Sequence, residues 1–556
     1  MTRITRHFVT VGTRRVHYRR AGSGPPVVML HPSPSCSGSL TGTIDVFAKA
    51  FTAIALDTPG YGLSDLLPME QPEIPDFAEA LAETLDALGI ERCGVFGSHT
   101  GASIAIEFIR RYPERASITV FDGYPGYTDD YRADMLESYL PPYVPKWDGT
   151  HLLTTWMKYR EQFLYSPPFR HHKENRSNAV PRDPVTTQAA VTPRLMTGRN
   201  YNIGYSSVFR YKSLEAPYDL KSPTCFAARE DDSLVRSLGL LDDLPEGCWK
   251  EVLGRDEAAA AERYAEILAE RLEPGDTPAP PDPENLPGRV QYSYTDFGAG
   301  QVMVRRAGNG DRPLVMMPPL PGTSDLLETL MLALAPARAV IAFDPPGNGD
   351  SDDFLPHTIE ACAGALGQVA TKLAVGEFDL YGRNAGASVA AAFAHANPDR
   401  VGKLILDAPL ALDTATAEAW QAGYAPAIEP KWDGSHLIAL WHQLRAEQLF
   451  SPWFNETAAG IRDVEPEIDP DFLSQKLTGI LKHYGTYHEF WDVAFEYPGL
   501  DTLSRIGHTT LVCARKNDLF AAFADDAAEA VPKASRATLP AETQGAARVI
   551  AEFLDS

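Results

Sequence analysis

The sequence predicts two α/β domains in tandem, each built on a mainly parallel β-sheet with helices on both faces. The chain has 556 residues, which is more than a single hydrophobic core usually supports. Short apolar segments alternate with segments of helical spacing, as in a parallel sheet that is covered on both faces. Stretches of the first half also recur in the second half at a nearly constant spacing of about 285 residues.

Three pairs of segments carry the repeat. They are ALDTPGYGLSD (55–65) with AFDPPGNGDSD (342–352), PKWDGTHLLTTWMKYREQFLYSPPF (145–169) with PKWDGSHLIALWHQLRAEQLFSPWF (430–454), and AAREDDSLV (227–235) with CARKNDLFA (513–521). A segment rich in proline, glycine and acidic residues separates the two copies and is typical of an exposed linker. We therefore predict a tandem duplication with one domain at 1–271, a linker at 272–289 and a second domain at 290–556.

Periodicity orders the elements of the first copy. The N-terminal segment alternates between apolar and polar residues and predicts a pair of strands. Short apolar runs bounded by turn residues predict strands at 25–31, 53–57, 93–97, 117–123 and 223–229. Apolar residues at helical spacing predict helices at 77–90, 101–113 and 256–272. A long aromatic-rich insert follows the strand at 117–123 and ends at about residue 205.

Two short segments have the frame of a nucleophile elbow, Gly-x-Nuc-x-Gly. They are VFGSHTGAS (95–103) and LYGRNAGAS (380–388), each after an apolar run and before a helical pattern. Small residues flank the central position because the backbone approaches itself closely in this strained turn. The nucleophile position holds His99 in the first copy and Asn384 in the second, so neither copy has the usual serine.

Taken together, these motifs resemble the α/β-hydrolase superfamily. The resemblance rests on LHPSPS (30–35), the D-x-P-G-x-G-x-S-D turn (57–65), the elbow, and an aspartate after the penultimate predicted strand, Asp232, with Asp518 as its counterpart. It implies a helical cap inserted after the sixth strand, at about 125–205 in the first domain and 410–490 in the second. The His-Thr-Gly-Ala elbow is similar to that of a sub-branch of the superfamily with histidine at the nucleophile position.

The first elbow predicts catalysis by a histidine. His99 can act as a general base, or can attack an acyl group to form an acyl-imidazole. We expect its pKa to fall, because a helix N-terminus disfavours the cation. The resemblance implies that Asp232 orients a histidine, and that the backbone N–H groups of Thr100 and Ser33 form an oxyanion hole. The alternative is that His99 only fits the turn.

The second elbow predicts a loss of the original chemistry. Asn384 is neither a base nor a good nucleophile, but it can hydrogen-bond a substrate carbonyl. The N–H groups of Ala385 and Leu320 would be the oxyanion donors of this copy. We therefore place the chemistry in the first repeat.

Other histidines are candidates for the triad histidine that is missing after the last strand. His31 starts the oxyanion loop, and its counterpart is Pro318; the alternative is a histidine that only shapes the loop. His151 and its counterpart His436 lie in the W-D-G-[TS]-H-L stretch of the predicted caps. His151 would assist His99 from the cap, and a capping and packing role is the alternative.

The caps predict an apolar substrate. Trp156 and Arg160 share a helix face, as do Trp441 and Arg445, and an arginine beside a tryptophan can stack on it or clamp a substrate. Outward-facing arginines on a cap core are the alternative. The residues predicted to contact the substrate are Trp147, Trp156, Arg160, Tyr201 and Tyr205. Asp122 and Asp407 end the sixth strands and are alternate acids, or else turn-capping residues.

Composition narrows the class of protein. A formal charge of −24 argues against a nucleic-acid surface and against anionic membranes. No apolar run approaches the roughly 20 residues that span a bilayer. The six cysteines are scattered without a C-x-x-C motif, which favours a reduced, cytoplasmic setting. We predict no metal and no organic cofactor.

These observations lead to three functional hypotheses. The first is a hydrolase acting on an ester, lactone or activated C–C bond of an apolar or aromatic small molecule. The second is a cofactor-independent lyase or isomerase on the same scaffold, and the third is a catalytically silent ligand-binding module. We also expect the two repeats to pack as an intrachain pseudo-dimer. The sequence does not determine whether the chain forms homo-oligomers in addition.

Overall fold

The computed structural model describes residues 2–140, 142–177 and 180–556, and the chain forms two compact units. The division falls after residue 284, inside the predicted linker. Residues 146–149 are grouped with the second unit and residues 432–434 with the first. Each unit contains one eight-stranded sheet, which confirms the predicted fold class of two tandem α/β domains.

The sheet of the first unit has the strand order β1-β2-β4-β3-β5-β6-β7-β8. Its strands are β1 (Thr5–Val11), β2 (Arg14–Ala21), β3 (Pro26–Leu30), β4 (Thr52–Leu56), β5 (Cys93–Ser98), β6 (Ala116–Asp122), β7 (Thr224–Arg229) and β8 (Cys248–Leu253). The first two strands form the predicted antiparallel pair, β2 is antiparallel to β4, and all later pairs are parallel. The inner strands are almost continuously apolar because both of their faces are covered.

The described helices of the first unit cover both faces of the sheet and form a cap insert. They are α1 (Thr41–Phe47), α2 (Ile74–Ala87), α3 (Thr100–Arg111), α4 (Asp129–Ser138), α5 (Thr150–Leu164), α6 (Pro184–Thr197), α7 (Tyr201–Arg210) and α8 (Glu257–Ala269). One core cluster lies under α2 and α3, and a second lies under α1 and α8. The four helices α4 to α7 fall between β6 and β7 and form the cap insert.

The second unit repeats the strand order, with β9-β10-β12-β11-β13-β14-β15-β16. Its strands are β9 (Gln291–Asp296), β10 (Gln301–Ala307), β11 (Leu314–Met317), β12 (Val340–Phe343), β13 (Phe378–Arg383), β14 (Val401–Asp407), β15 (Thr509–Arg515) and β16 (Ala534–Leu539). As in the first unit, only the pairs made by the second strand, β10, are antiparallel.

Ten helices accompany the described part of the second sheet. They are α9 (Glu328–Leu334), α10 (Ile359–Lys372), α11 (Ala385–Ala396), α12 (Thr414–Gln421), α13 (Ser435–Ala446), α14 (Pro470–Leu481), α15 (Tyr487–Glu496), α16 (Gly499–Ser504), α17 (Ala524–Ala530) and α18 (Thr543–Asp555). Helices α12 to α16 fall between β14 and β15 and form the second cap insert. Over the described ranges, no helix of either unit has the length and apolarity that crossing a membrane requires.

Candidate active site

Both predicted elbows are sharp turns between a strand and a helix. His99 links β5 to α3 with φ 50° and ψ −112°. Asn384 links β13 to α11 with φ 50° and ψ −124°. A positive φ is uncommon for a residue other than glycine, and such strained positions cluster at functional sites.

Flanking glycines make the first turn possible. A Cβ atom on Gly97 would lie 2.7 Å from the carbonyl oxygen of Gly101, and one on Gly101 would overlap the carbonyl oxygen of Leu30. Gly382 and Gly386 are equally crowded by backbone in the second unit. The spacing Gly-x-x-x-Gly therefore specifies the turn, whichever residue stands at its tip.

The first elbow brings His99 and Asp232 together. The Nε2 atom of His99 lies 2.8 Å from Oδ2 of Asp232, whose Oδ1 accepts a hydrogen bond from the N–H of Leu234 at 2.7 Å. The His99 side chain is 35% exposed and that of Asp232 is 6% exposed. Because Nε2 donates to the carboxylate, Nδ1 is the ring nitrogen that can accept a proton. We find no hydrogen bond to Nδ1 from any residue that the structure describes.

The expectation that the pKa of His99 falls is wrong. Burial acts to lower this pKa, but the charge and hydrogen bond of Asp232 and the charge of Asp122 outweigh burial and raise it above the ordinary value of 6.5. A helix terminus supplies only about half a charge, whereas the two carboxylates bring full charges. Burial likewise favours the neutral form of Asp232, but the contact with His99 lowers the pKa of this carboxyl overall.

Asp122 lies beside this pair at the end of β6. Burial and the nearby charge of Asp232 raise the pKa of its carboxyl. Its Oδ1 accepts a hydrogen bond from the hydroxyl of Tyr264 at 2.7 Å. Asp122 thus adds negative potential at His99, while the direct hydrogen bond comes from Asp232.

The predicted assisting role of His31 needs correction. Its Nε2 accepts a hydrogen bond from the N–H of Thr58 at 3.0 Å, and its Nδ1 lies 2.9 Å from the carbonyl oxygen of Pro32. The side chain is fully buried, and burial lowers its pKa. Both ring nitrogens therefore serve the backbone, which fits the alternative of a histidine that shapes the loop after β3.

The two cap histidines lie at the starts of α5 and α13. His436 is buried, and its Nδ1 accepts a hydrogen bond from the N–H of Lys431 at 3.1 Å. His151 is buried and meets the ring of Tyr143 edge-on at 5.6 Å. Among the described contacts, no hydrogen bond joins His151 to His99. The burial of His151 fits the capping and packing alternative, and its assistance to His99 stays a prediction.

The predicted oxyanion hole of the first unit is partly filled. The N–H of Ser33 donates to Oγ1 of Thr100 at 3.2 Å, so that this amide is not open to a substrate. The N–H of Thr100 itself heads α3 and needs no partner within the helix. Of the two predicted donors, the N–H of Thr100 is therefore open to a substrate and the N–H of Ser33 is not.

The predicted substrate contacts are mostly packing residues. Trp156 is fully buried, and its Nε1 donates to the carbonyl oxygen of Trp432 in the same compact unit. The guanidinium of Arg160 lies over the Trp432 ring. Tyr201 and Tyr205 belong to an apolar cluster of the cap. The i, i+4 spacing thus marks the interior of the cap rather than a binding wall.

Trp147 is grouped with the second unit, whereas the first elbow belongs to the first. Trp147 is 66% exposed, and the guanidinium of Arg445 lies over its ring at 5.8 Å. Both predicted arginine roles, for Arg160 and Arg445, therefore resolve as stacking on exposed tryptophans. The geometry matches the stacking alternative, and a clamp on a substrate stays a prediction.

The second elbow has a different set of contacts. Nδ2 of Asn384 donates to Oδ1 of Asp518 at 3.0 Å and lies 3.4 Å from the carbonyl oxygen of Ala408. A guanidinium nitrogen of Arg383 lies 2.9 Å from Oδ2 of Asp518. The carboxylate that faces a histidine in the first unit thus faces an amide and a guanidinium in the second.

A large cavity lies above the second elbow, where sequence reasoning expected no chemistry. Its volume is about 1110 Å³. Asn384, Asp518 and Leu320 line its base, and Tyr424, Trp491 and Phe520 line its wall. The sequence analysis placed the substrate contacts in the first cap and the chemistry at His99. No sequence signal distinguishes the two caps, since both are rich in aromatic residues.

Sequence reasoning also missed a residue pair that accompanies the two tips. Gly123 follows β6 with φ +73°, and a Cβ atom there would lie 2.8 Å from Nε2 of His99 and 3.2 Å from Oδ2 of Asp232. Ala408 follows β14 at the same place, with φ 50°. The glycine leaves room for the imidazole, and the smaller Asn384 leaves room for the alanine methyl. The segments FDG and LDA carry this signal in the sequence.

Comparison with known proteins finds a family match for part of the second unit. Residues 312–454 match a family model described as the alpha/beta hydrolase fold. This match lies in the second unit, and the first unit has the same strand order. His99 and Asn384 each follow the fifth strand of their unit in chain order, which is where α/β-hydrolases carry the nucleophile elbow.

Several α/β-hydrolase relatives match parts of the chain. A 2-hydroxy-6-oxo-6-phenylhexa-2,4-dienoate hydrolase of Comamonas testosteroni is 35% identical over 115 residues, which is 20% of this chain and 40% of that protein. A 2-hydroxy-6-oxononadienedioate/2-hydroxy-6-oxononatrienedioate hydrolase of Paraburkholderia phymatum is 38% identical over 114 residues, with the same two shares. The chain spans about two fifths of the length of these curated relatives.

Solved structures match about half of the chain. The enol-lactonase of Burkholderia xenovorans is 18% identical, with a TM-score of 0.37, and the match covers 47% of this chain and all of that one. An esterase of Thermogutta terrifontis is 21% identical, with a TM-score of 0.38, and the match covers 48% of this chain and 98% of that one.

Proposed function

We propose that the protein is a hydrolase of an apolar or aromatic small molecule, with its chemistry at the first elbow. His99 acts as the base and Asp232 orients and polarises it. The bond that is cleaved belongs to an ester, a lactone or an activated C–C bond. The observation that carries this proposal is the hydrogen bond of 2.8 Å between Nε2 of His99 and Oδ2 of Asp232, at a tip that is held in the elbow conformation.

The proposed reaction uses water as the nucleophile. Nδ1 of His99 takes a proton from a water molecule while the oxygen of that water attacks the substrate carbonyl. The carbonyl oxygen becomes an oxyanion, for which the N–H of Thr100 at the start of α3 is a donor. When the tetrahedral adduct collapses, the leaving group takes the proton back from the imidazolium, and an acid and an alcohol are formed from an ester.

A covalent variant of the same proposal is an acyl-imidazole. Here Nδ1 attacks the carbonyl directly and the C–O bond to the alcohol breaks. The alkoxide takes a proton from water, and the hydroxide so formed attacks the acyl-imidazolium, which releases the acid and neutral His99. The exposure of His99 supports either variant, because 35% of the side chain is open to a substrate or to water.

The relatives support the choice of bonds. The Comamonas testosteroni and Paraburkholderia phymatum enzymes are named as hydrolases of 2-hydroxy-6-oxo-dienoates, and the Burkholderia xenovorans enzyme as an enol-lactonase. We carry these two substrate classes over as candidates for this protein. The repeated strand order supports, in the same way, the inference that the two units arose by tandem duplication.

A cofactor-independent lyase or isomerase is the second candidate, and one observation favours it. The N–H of Ser33 is engaged by Oγ1 of Thr100, so that the first unit offers a weaker oxyanion hole than acyl transfer prefers. A base that only moves protons needs less stabilisation of a tetrahedral oxyanion. In that case His99 would abstract a proton next to a carbonyl without adding water.

Turnover of a substrate panel tests the proposal. The panel contains aromatic esters, lactones and 2-hydroxy-6-oxo-dienoates, and the proteins are the wild type, His99→Gln and the control His172→Ala, which changes an exposed histidine of the same unit. We expect His99→Gln to lower kcat/KM by roughly 10²- to 10⁴-fold. Equal activity of His99→Gln and wild type contradicts the proposal.

Reaction in ¹⁸O-labelled water separates the two candidates. A hydrolase incorporates one labelled oxygen into the acid product, which mass spectrometry detects. A lyase or isomerase gives a product without label from solvent, apart from exchange that a control without enzyme measures. Activity that depends on His99 without incorporation of label would transfer the assignment to the lyase or isomerase class.

A further inference from the structure

We infer that the second elbow is a binding site for a neutral aromatic carbonyl compound that carries a hydroxyl group next to its carbonyl. This inference goes beyond the proposed hydrolase function and does not depend on it, because it concerns the other unit. It rests on the large cavity over Asn384, on the fixed orientation of the Asn384 amide, and on one backbone amide that the first unit closes and the second leaves open.

The contacts of Asn384 fix which of its atoms faces the cavity. Its Nδ2 points at two acceptors, Oδ1 of Asp518 and the carbonyl oxygen of Ala408. Reversing the amide would place Oδ1 against a carboxylate, which is repulsive. Asn384 lines the cavity, so its Oδ1 is the atom presented to a ligand. An amide oxygen accepts a hydrogen bond, and the matching ligand group is therefore a hydroxyl or another donor.

The second unit leaves its oxyanion amides open. Leu320 stands where the first unit has Ser33, and Ala385 stands where it has Thr100. Ala385 has no hydroxyl, so it cannot engage the N–H of Leu320 as Thr100 engages that of Ser33. Within the described ranges, no hydrogen bond from the N–H of Leu320 is found. Ala385 begins α11, so its N–H has no partner within the helix and is the second donor that we infer for a carbonyl oxygen.

The walls of the cavity suit an aromatic body. Tyr424, Trp491 and Phe520 line the cavity and contact one another, with ring centroids 4.6 Å apart for Tyr424 and Trp491 and 6.0 Å apart for Trp491 and Phe520. Such rigid aromatic walls bind flat apolar groups at a low cost in conformational entropy. The volume of about 1110 Å³ admits a molecule of several rings or one with a long side chain.

The charges of the cavity favour a neutral ligand. Arg383 is paired with Asp518, and Lys476 is paired with Glu447 at 3.3 Å. Three exposed acidic residues, Asp463, Glu465 and Glu467, stand along the cavity. Arg515 is paired with Asp407, and the exposed Lys516 is a further lining cation. Six acidic side chains line the cavity against four basic ones, so the net charge disfavours a carboxylate.

Asn384 also explains why we assign binding and not turnover to this site. An amide does not take up a proton at neutral pH, and neither Ala408 nor Arg383 supplies a base beside it. The tip itself therefore offers a ligand donors and an acceptor, but not the base that His99 provides in the first unit. The second unit thus holds the ligand without transforming it.

Calorimetric titration of the full chain with 2-hydroxy-1-phenylethanone tests the inference. This probe is a neutral aromatic ketone with a hydroxyl on the adjacent carbon. We expect one binding site, weaker binding by about tenfold in Asn384→Ala, and unchanged binding in His99→Ala. The 2-methoxy ether, which lacks the donor, should bind about as weakly to the wild type as the ketone binds to Asn384→Ala.

Four results would overturn the inference. They are the absence of binding to a wild-type chain that is folded by circular dichroism, equal binding to wild type and Asn384→Ala, a loss of binding in His99→Ala but not in Asn384→Ala, and tighter binding of the anion mandelate than of the ketone. Because the readout is binding, none of these results depends on whether the first elbow turns over a substrate. Failure of the proposed hydrolase function would instead appear as equal turnover by wild type and His99→Gln.

Discussion

The two elbows have the same backbone conformation, but one carries a titratable side chain at its tip and the other does not. His99 and Asn384 both adopt φ 50° between a strand and a helix, with a carboxylate, Asp232 or Asp518, within hydrogen-bond distance of the tip. In the first unit the partner is a titratable imidazole, and in the second it is an amide. The comparison teaches that the flanking glycines specify the turn, while the tip residue is free to change the function.

The neighbours of each tip change together with it. Gly123 leaves space for the imidazole, and Ala408 fills the same place beside the smaller Asn384. Thr100 closes the amide of Ser33, whereas Ala385 leaves that of Leu320 open. The first unit therefore combines a base with a partly filled oxyanion hole, and the second combines open amides with no base.

Asp232→Asn breaks the comparison most strongly. Loss of the carboxylate removes the charge that orients and polarises His99, so we expect kcat/KM to fall by roughly 10²- to 10⁴-fold. The neutral imidazole is the active base, so the wild-type rate should rise with pH through the raised pKa of His99. In Asp232→Asn this pKa falls, so the rising part of the pH–rate profile should shift to lower pH. A pH–rate profile that does not move contradicts the assigned role of Asp232.

Gly123→Ala tests the space around the imidazole. A methyl group would lie 2.8 Å from Nε2 of His99 and must displace the ring. A displacement of about 1 Å at a reacting group costs roughly 10²-fold in rate. The matched change Ala408→Gly removes a methyl group and creates no clash. Wild-type kinetics in Gly123→Ala would show that the ring does not need its observed position.

Asn384→His converts the second tip into the first. The larger ring would meet the methyl group of Ala408, and overpacking of this kind costs about 1–3 kcal/mol of unfolding free energy. We expect Ala408→Gly to restore most of this stability in the double variant. Chemical denaturation of the single and double variants measures the effect, and equal stability of the two would contradict the proposed pairing of tip and neighbour.

Thr100→Ala has the smallest expected effect. It removes one hydrogen bond, to the N–H of Ser33, and should cost about 0.5–1.5 kcal/mol of stability. It also opens that amide and makes the first oxyanion hole like the second. The ester hydrolysis rate of the variant, compared with wild type, then shows whether the filled amide limits acyl transfer. A lower rate would show that Thr100 assists the reaction through its hydroxyl.

The sequence predicts the fold well because periodicity and glycine spacing are local signals. The alternation of apolar strands and helices predicts a mainly parallel sheet in each domain, and the glycines at 97, 101, 382 and 386 predict the two elbow turns. The edge strands β8 and β16 were not predicted, because their alternating, partly exposed residues resemble loops. The pairing of His99 with Asp232 joins residues that are 133 positions apart, and the resemblance alone suggested it.

The rest of the site depends on contacts that no local pattern encodes. His31 carries the residue type of a catalytic base, yet both of its ring nitrogens serve the backbone. Trp156 and Tyr201 share the composition of a binding wall but pack inside the cap. The pKa of His99 rises because two distant carboxylates converge on it. The sequence analysis treated His31, Trp156 and Tyr201 as open to a substrate, whereas tertiary packing buries them.

One paired measurement tests the division of labour between the elbows most directly. Turnover of the best panel substrate and binding of 2-hydroxy-1-phenylethanone are measured for His99→Ala and Asn384→Ala. We expect His99→Ala to lower kcat/KM about a hundredfold more than Asn384→Ala does, and Asn384→Ala alone to weaken binding. If Asn384→Ala instead lowers turnover as much as His99→Ala does, the two elbows share one function and the account is wrong.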